Sequence, residues 1–262
     1  MAPVTALLEI ADLTVTFDGF RAVDGVDLSI AEGELRFLIG PNGAGKTTVL
    51  DAVTGLCRAT GSARFAGEEL LGLRPHRIVR RGVGRTFQTS AVFDALSVLE
   101  NVDLAASWRR RLPGLLRRRT RVAPAVADAL EVVDLSGRLS LPAGVLSHGQ
   151  RRWLEIAMLL AQDPRLLLLD EPVAGMTRAE RERTGQLLQR IVEHRTVVIV
   201  EHDMDFLRRF ARRVTVLHEG RVLSEGTVDQ VQADERVREV YLGRAREDSP
   251  AGPVSPAQEA AC

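Results

Sequence analysis

Lysine is almost absent from this 262-residue sequence: of 35 basic residues, Lys46 is the sole lysine and the others are arginine. A chain that writes arginine wherever a positive charge suffices marks this one position as a place where the shape of the cation matters. Cysteine is equally scarce. Cys57 and Cys262 lie far apart without CxxC or metal-ligand spacing, so a reducing compartment is the expectation. Charge of either sign is not in excess, with 35 acidic residues against 35 basic ones, which removes a general pull toward nucleic acid or anionic membrane and leaves only a local patch to supply one. Long apolar runs are missing too: no stretch approaches the roughly 20 residues that span a bilayer. The start, MAPVTALLEIADL, has neither the basic opening nor the apolar run of a signal peptide, and the cytosol is the expected location.

What is present is 45% apolar residues, enough to bury a large core. Short apolar runs alternate with helix-period segments, the pattern of a parallel sheet covered on both faces. LRFLIG (35–40), RLLLLD (165–170) and TVVIVEH (196–202) read as buried strands whose polar ends gather on one edge, where open α/β sheets bind ligands. The first thirty residues, with LLEIADLTVTF and VDLSI, alternate apolar and polar and predict a small antiparallel β-layer. Between about 89 and 163 the strand signal gives way to helical spacing in LSVLENVDLAASW, VADALEVVDL and GQRRWLEIAMLLA, a helical lobe inserted into an α/β core spanning about 1–88 and 164–242. RVTVLHEGRVLSEG reads as a hairpin turning at Glu219 and Gly220, and 243–262, rich in Pro, Ala, Ser and Glu, as a disordered tail.

Gly40-Pro41-Asn42-Gly43-Ala44-Gly45-Lys46-Thr47 fits GxxxxGK[ST] between a buried strand and a helix-period segment. Glycines let backbone N–H groups turn inward around phosphate oxygens, and the following helix points its positive end at them. A Gly-rich turn that merely joins strand to helix is the bland alternative, which the strand-loop-helix context disfavours. The motif explains the solitary lysine: a compact ammonium sits among β- and γ-phosphate oxygens, whereas a guanidinium is a wide planar fork. Thr47 offers its hydroxyl to Mg²⁺, and Thr48 is placed for a further phosphate contact. In RLLLLDEP, Asp170 emerges at the end of a strand where it can hold Mg²⁺, and Glu171 follows where it can polarise an attacking water. Alone, such a pair is equally a helix N-terminal charge pair; beside a phosphate loop the catalytic reading is favoured.

Four further segments follow in order: Phe87-Gln88, LSHGQ (146–150), AGMT (174–177) and His202. With the phosphate loop and LLLLDEP, this series resembles the ATP-binding subunits of ABC transporters over roughly residues 8–242. The resemblance implies a P-loop NTPase core, RecA-like, with ATP and Mg²⁺ as its ligands. It further implies that Gln88 contacts Mg²⁺ and the water, that His202 holds the γ-phosphate, and that Ser147, Gly149 and Gln150 reach the ATP of a second subunit. Phe17 matches the adenine-stacking position. Taken singly, Phe17 reads as a core aromatic, His202 as a hydrogen-bonded strand end, Gln88 as an exposed amide and Ser147 as a helix N-cap; their joint order moves them. His148 stands where glycine is commoner and Thr177 where many members carry aspartate, which puts coupling between subunits in more doubt than hydrolysis.

EPVAGMT, LSHGQRRWLEIAMLL, VEHDMDFLRR and HEGRVLSEGTVDQVQADERVREVYLG are similar to importers of the branched-chain amino acid group, and most of all to their urea-transport ATP-binding subunit. That resemblance implies permease subunits as partners, a sister ATP-binding subunit in a heteromer or a second copy in a homodimer, and indirectly a periplasmic or extracellular solute-binding protein. It places the chain on the inner face of the cell membrane. The run WRRRLPGLLRRRTRV (108–122) holds seven arginines and reads either as a solvated loop or as a contact for anionic headgroups or a permease. Nucleic acid is disfavoured, because no aromatic platform interleaves with the run. The rival class, a soluble cassette protein acting on ribosomes or DNA, usually carries two cassettes or a long coiled coil, and a small-molecule kinase fits poorly with LSHGQ and His202.

Overall fold

A computed structural model of the chain describes residues 6–86, 91–107 and 122–247. Gln88, the arginine run from 109 to 121 and residues 248–262 of the expected tail lie outside them. Two sheets carry the strands. In the first, β1 (Ala6–Phe17) pairs antiparallel with β2 (Phe20–Ala31) on one side and β4 (Thr60–Phe65) on the other, and β5 (Glu68–Glu69) completes the order β2-β1-β4-β5. The antiparallel layer expected from the first thirty residues is therefore larger than its sequence signal. TGSARF hides its strand because only Ala63 and Phe65 in it are buried.

The second sheet has the order β10-β9-β3-β8-β7-β6, built from β3 (Leu35–Ile39), β6 (Val83–Arg85), β7 (Leu166–Asp170), β8 (Thr196–Val200), β9 (Arg213–His218) and β10 (Arg221–Gly226). All neighbours are parallel except the β9–β10 hairpin, which turns at Glu219 and Gly220 with positive φ at both, as a two-residue turn between twisted strands requires. At three residues, β6 is too short to carry a periodic signal.

Strand alternation divides the buried residues between two cores. Phe37, Leu167, Leu169, Val197 and Ile199 face one cluster, while Leu38, Leu166, Leu168, Val198 and Val200 face the other. The second cluster is closed by β1, β2 and α1 (Lys46–Val53). Against the first pack α3 (Val98–Ala106), α4 (Pro124–Val132) and α5 (His148–Leu160), through Val98, Val102, Val126, Leu130, Leu154 and Ala157. These helices fall in the three stretches with helical spacing, and they share a core with the sheet face instead of enclosing their own. The remaining helices are α2 (Pro75–Arg81), α6 (Arg178–Val192), α7 (Met204–Phe210), α8 (Val228–Ala233) and α9 (Glu235–Glu247). The last continues beyond residue 242, so the segment expected as tail begins as helix.

One buried cation ties the sheets together. Arg36, on β3 and fully buried, donates to Glu34 (2.6 Å), to Thr215 on β9 (2.7 Å) and to the Ser29 carbonyl on β2 (3.0 Å), and pairs with Glu225 on β10 (2.9 Å). Satisfied on all sides, it holds the strand that leads into the glycine-rich loop.

Candidate functional site

Because β3, β8, β7 and β6 are parallel, their carboxyl ends release the chain along one edge of the sheet. From β3 emerges the loop of residues 40–45 that opens α1. Gly40, Gly43 and Gly45 have φ of 151°, 80° and 97°, which L side chains rarely adopt. Two of them have a second reason to lack a side chain: a Cβ on Gly40 would lie 2.1 Å from the Leu217 carbonyl oxygen of β9, and one on Gly45 would lie 2.5 Å from that of Ala22 in β2. The β9–β10 turn completes the support, with Gly220 N–H donating to the Ala44 carbonyl (3.1 Å) and Asp24 N–H to that of Gly220 (2.8 Å). No side chain caps α1, so its first N–H groups are open to an anion.

Lys46 begins that helix with its side chain folded back over the loop, Nζ donating to the Gly40 (2.8 Å) and Pro41 (2.9 Å) carbonyls. Thr47 and Thr48 follow, both half-buried, and Asn42 and Gly43 are exposed at the crest. Alternation along β7 puts Asp170 on the face of Leu166 and Leu168, the one α1 covers, with its carboxylate beside Thr47. Arg85, at the end of β6, reaches it at 3.4 Å and is itself held by Asp51 at 2.6 Å and Thr54 at 3.2 Å. Asp170 Oδ1 is buried with no hydrogen-bond partner. Burial pushes this carboxyl above the usual range, with the neighbouring Glu171 charge adding to it and Arg85 opposing. An orphaned carboxylate oxygen beside a threonine hydroxyl is a donor set that fits a hard divalent cation.

Glu171 turns the chain off β7 in the left-handed region, at φ 48°, and its N–H donates to the Val200 carbonyl of β8 at 2.9 Å. The turn brings its carboxylate to 3.4 Å from Nδ1 of His202, so two residues singled out separately in the sequence meet in space. Both side chains reach solvent. Between them lies Glu201, a residue that sequence reasoning passed over. It is buried and accepts backbone N–H bonds from Val173, His202 and Asp203. Its signal was in plain view, since a carboxylate at the end of VVIV is an expensive choice for a buried strand.

Phe17 is no core aromatic: it is 48% exposed at the end of β1, cross-strand from Phe20. Ser147 N-caps α5 in a capping box with Gln150. The Ser147 hydroxyl also donates to Glu180 (3.1 Å), whose other oxygen accepts from Thr177. A Cβ on Gly149 would meet the Glu180 carboxylate at 2.5 Å. Thr177 is thus the N-cap of α6, and Glu180 binds the two helix starts to each other. The residues 146–150 do not join the phosphate-loop cluster through these contacts; Ser147 and His148 are exposed, while Leu146 and Gly149 are buried. Thr86, two residues before Gln88 and not singled out in the sequence, accepts through Oγ1 from Asp170 N–H (3.3 Å). A cavity of about 720 Å³ is lined instead by residues such as Thr14, Cys57, Arg58 and Leu73 and includes none of the loop.

Comparison with known proteins agrees with this geometry. A sequence model described as ABC transporter matches residues 23–174, and one described as branched-chain amino acid ATP-binding cassette transporter matches residues 221–247. The chain is 38% identical to the high-affinity branched-chain amino acid transport ATP-binding protein BraF of Pseudomonas aeruginosa, over 91% of this chain and 98% of that protein. It is 34% identical to the LivG protein of Escherichia coli K12, described in the same words, with the same coverage of both. Among solved structures, the ADP conformation of an ATP-binding cassette of an ABC transporter superposes with a TM-score of 0.81 at 27% identity, covering 91% of this chain and 99% of that one. A nucleotide-free cassette gives 0.79 at 26% identity, covering 90% and 99%.

Two outcomes are expected from this geometry. A carboxyl raised by burial is disfavoured as the anion in the folded state, so its ionisation costs stability at any pH above its unfolded value of about 3.9. Asp170→Asn should therefore raise the melting temperature of the nucleotide-free protein in a calorimetric scan at neutral pH. Lys46→Arg should fold normally yet lose on the order of 100-fold in ATP affinity or turnover, because the guanidinium cannot take the place of Nζ between two loop carbonyls. Nucleotide titration beside a turnover assay checks it.

Proposed function

The chain belongs to the ABC transporter family as an ATP-hydrolysing cassette of the branched-chain amino acid importer type, and from that premise we propose how its own residues do the work and what they serve. The observation that carries the reading is the meeting of Glu171 and His202 at 3.4 Å on the edge where the phosphate loop opens. Lys46 leaves the Gly40 and Pro41 carbonyls to bind β- and γ-phosphate oxygens, with the N–H groups of Gly43, Ala44, Gly45, Thr47 and Thr48 around them. Phe17 stacks on the adenine. Thr47, Asp170 and Gln88 are the residues that hold Mg²⁺, which when bound neutralises developing charge on the phosphates. Glu171 accepts hydrogen-bonded water and draws its proton as the water oxygen bonds to the γ-phosphorus. The bond from that phosphorus to the β–γ bridging oxygen breaks, and ADP and inorganic phosphate leave. His202 donates from Nε2–H to a γ-phosphate oxygen, with its Nδ1 3.4 Å from the Glu171 carboxylate.

In one chain Glu171 and His202 stand open to water, and Ser147 is exposed at a separate locus where Gly149 is buried against Glu180. A second cassette brought face to face would supply that locus to the nucleotide and exclude water. We read the second cassette as a sister subunit, with a homodimer as the other arrangement. The helices between 89 and 163 form the lobe that passes closure to permease subunits, and the assembly sits on the inner face of the membrane; no helix among the described residues is long and apolar enough to cross it. A solute-binding protein outside delivers cargo to the permease. Nucleic acid is not a partner in this reading.

The solute is read elsewhere than in this chain, and the reading we favour is urea or a short-chain amide, on the strength of EPVAGMT, LSHGQ and the run from His218 to Gly243. A branched-chain amino acid is the second reading, favoured by the names of BraF and LivG.

Glu171→Gln should bind ATP with wild-type affinity, hydrolyse it at least about 100-fold more slowly and accumulate closed cassette pairs. Wild-type turnover by that variant, assembled with its permeases, overturns the assignment. In the same assembly with its binding protein, urea and not leucine should stimulate ATP hydrolysis; stimulation by leucine alone selects the second reading.

A further inference from the structure

We propose that Glu201 is a positioning residue for hydrolysis, whose buried carboxylate fixes the two chain segments that carry Glu171 and His202. Its side chain is buried, with the residue 1% exposed, and lies between the ends of β7 and β8. Oε1 accepts the N–H of Val173 at 3.1 Å, two residues beyond Glu171. Oε2 accepts the N–H of His202 at 3.1 Å and of Asp203 at 3.4 Å. One side chain thus spans both loops, and no Lys or Arg pairs with it among the described residues.

The cost of this arrangement argues that it serves geometry. The strand alternation points Glu201 toward the apolar cluster that holds Val197 and Ile199, where a leucine would be cheaper than a carboxylate. Burial pushes its carboxyl up, so the anion is held by backbone N–H groups against its own desolvation. What those bonds secure is specific. Glu171 occupies a left-handed conformation that a residue with a Cβ adopts at a cost, and it is tethered at both ends: its own N–H to Val200 at 2.9 Å, and Val173 N–H to Glu201. On the other loop, Asp203, whose N–H Glu201 also accepts, caps α7 through Phe206 N–H and pairs with Arg181, so His202 is held between a fixed helix start and β8. Remove the Glu201 carboxylate and the tether beyond Glu171 is lost together with the one at His202. The 3.4 Å approach of the two catalytic candidates then loses the one side chain that bonds both loops.

The inference rests on the assignment of Glu171 and His202 to the γ-phosphate, and the test separates the two. In the chain assembled with its permeases, Glu201→Gln keeps the side-chain volume but replaces one acceptor by a donor, and should lower kcat about tenfold. Glu201→Ala should lower it on the order of 100-fold, the scale of a displacement of about 1 Å at a reacting centre. For both, ATP affinity by equilibrium titration should stay within about twofold of wild type, because no phosphate-loop contact is touched. Glu171→Gln runs beside them. If Glu171→Gln turns over at the wild-type rate, the reading of the site falls first. If Glu171→Gln is inactive while a folded Glu201→Gln hydrolyses ATP at the wild-type rate, the positioning role is overturned. It is overturned equally if kcat and ATP affinity fall in parallel, since that marks general damage to the cradle. Should Glu201→Ala fail to fold, the near-isosteric Glu201→Gln decides alone.

Discussion

Because β8 pairs in parallel with β3 on one side and with β7 on the other, three segments far apart in sequence leave the sheet at the same edge and within two strand spacings of each other. Adjacent strands lie about 4.8 Å apart, so the phosphate loop after β3 and the acidic pair after β7 are separated by about 10 Å, the span of a nucleotide's phosphates with a metal and a water. The middle strand delivers Glu201 and His202 into that gap. Were β8 on the far side of β3 from β7, His202 and Glu171 would still follow buried strands but would not meet.

The same edge concentrates the costs. Asp170 is buried with one oxygen unsatisfied, Glu201 is a buried anion held by backbone N–H groups, and Glu171 sits at positive φ. Each is tolerable because the sheet beneath is dense with leucine, valine and isoleucine on both faces, and because Arg85 and Arg36 brace the neighbouring strands with charges that are themselves paired. Stability lodged in the two cores thus supports a cradle that taken alone is unfavourable.

Legibility followed the physical range of each signal. The loop from Gly40 to Thr47, the strands LLLLD and TVVIV and the turn at Glu219 were plain because each is a contiguous run whose chemistry is local. The alternation in β1 and β2 was plain for the same reason, while β4 was not, since TGSARF buries only two of its side chains and gains its place from pairing with β1. Helical spacing located α3, α4 and α5, but it could not show that their apolar stripes enter the same core as Phe37 and Leu169. The proline and alanine of the C-terminal stretch suggested disorder from residue 243, whereas the helix beginning at Glu235 runs on to Glu247.

The order of residues states the chemistry on offer: one ammonium where arginine would not fit, a hydroxyl beside it, an acidic pair closing a buried strand, and an ordered set of motifs. These are properties of residue type and spacing, which a linear chain states directly. Which of them meet follows from the folded chain alone. Gly40 and Gly45 proved to be glycines for the carbonyls of β9 and β2 as much as for phosphate. Gly149 proved to be one for the carboxylate of Glu180, and Glu201 emerged as the bond between the loops of Glu171 and His202. Each of these depends on a contact across strands or helices remote in sequence, and the close approach of two backbones leaves no trace in the order of residues that make it.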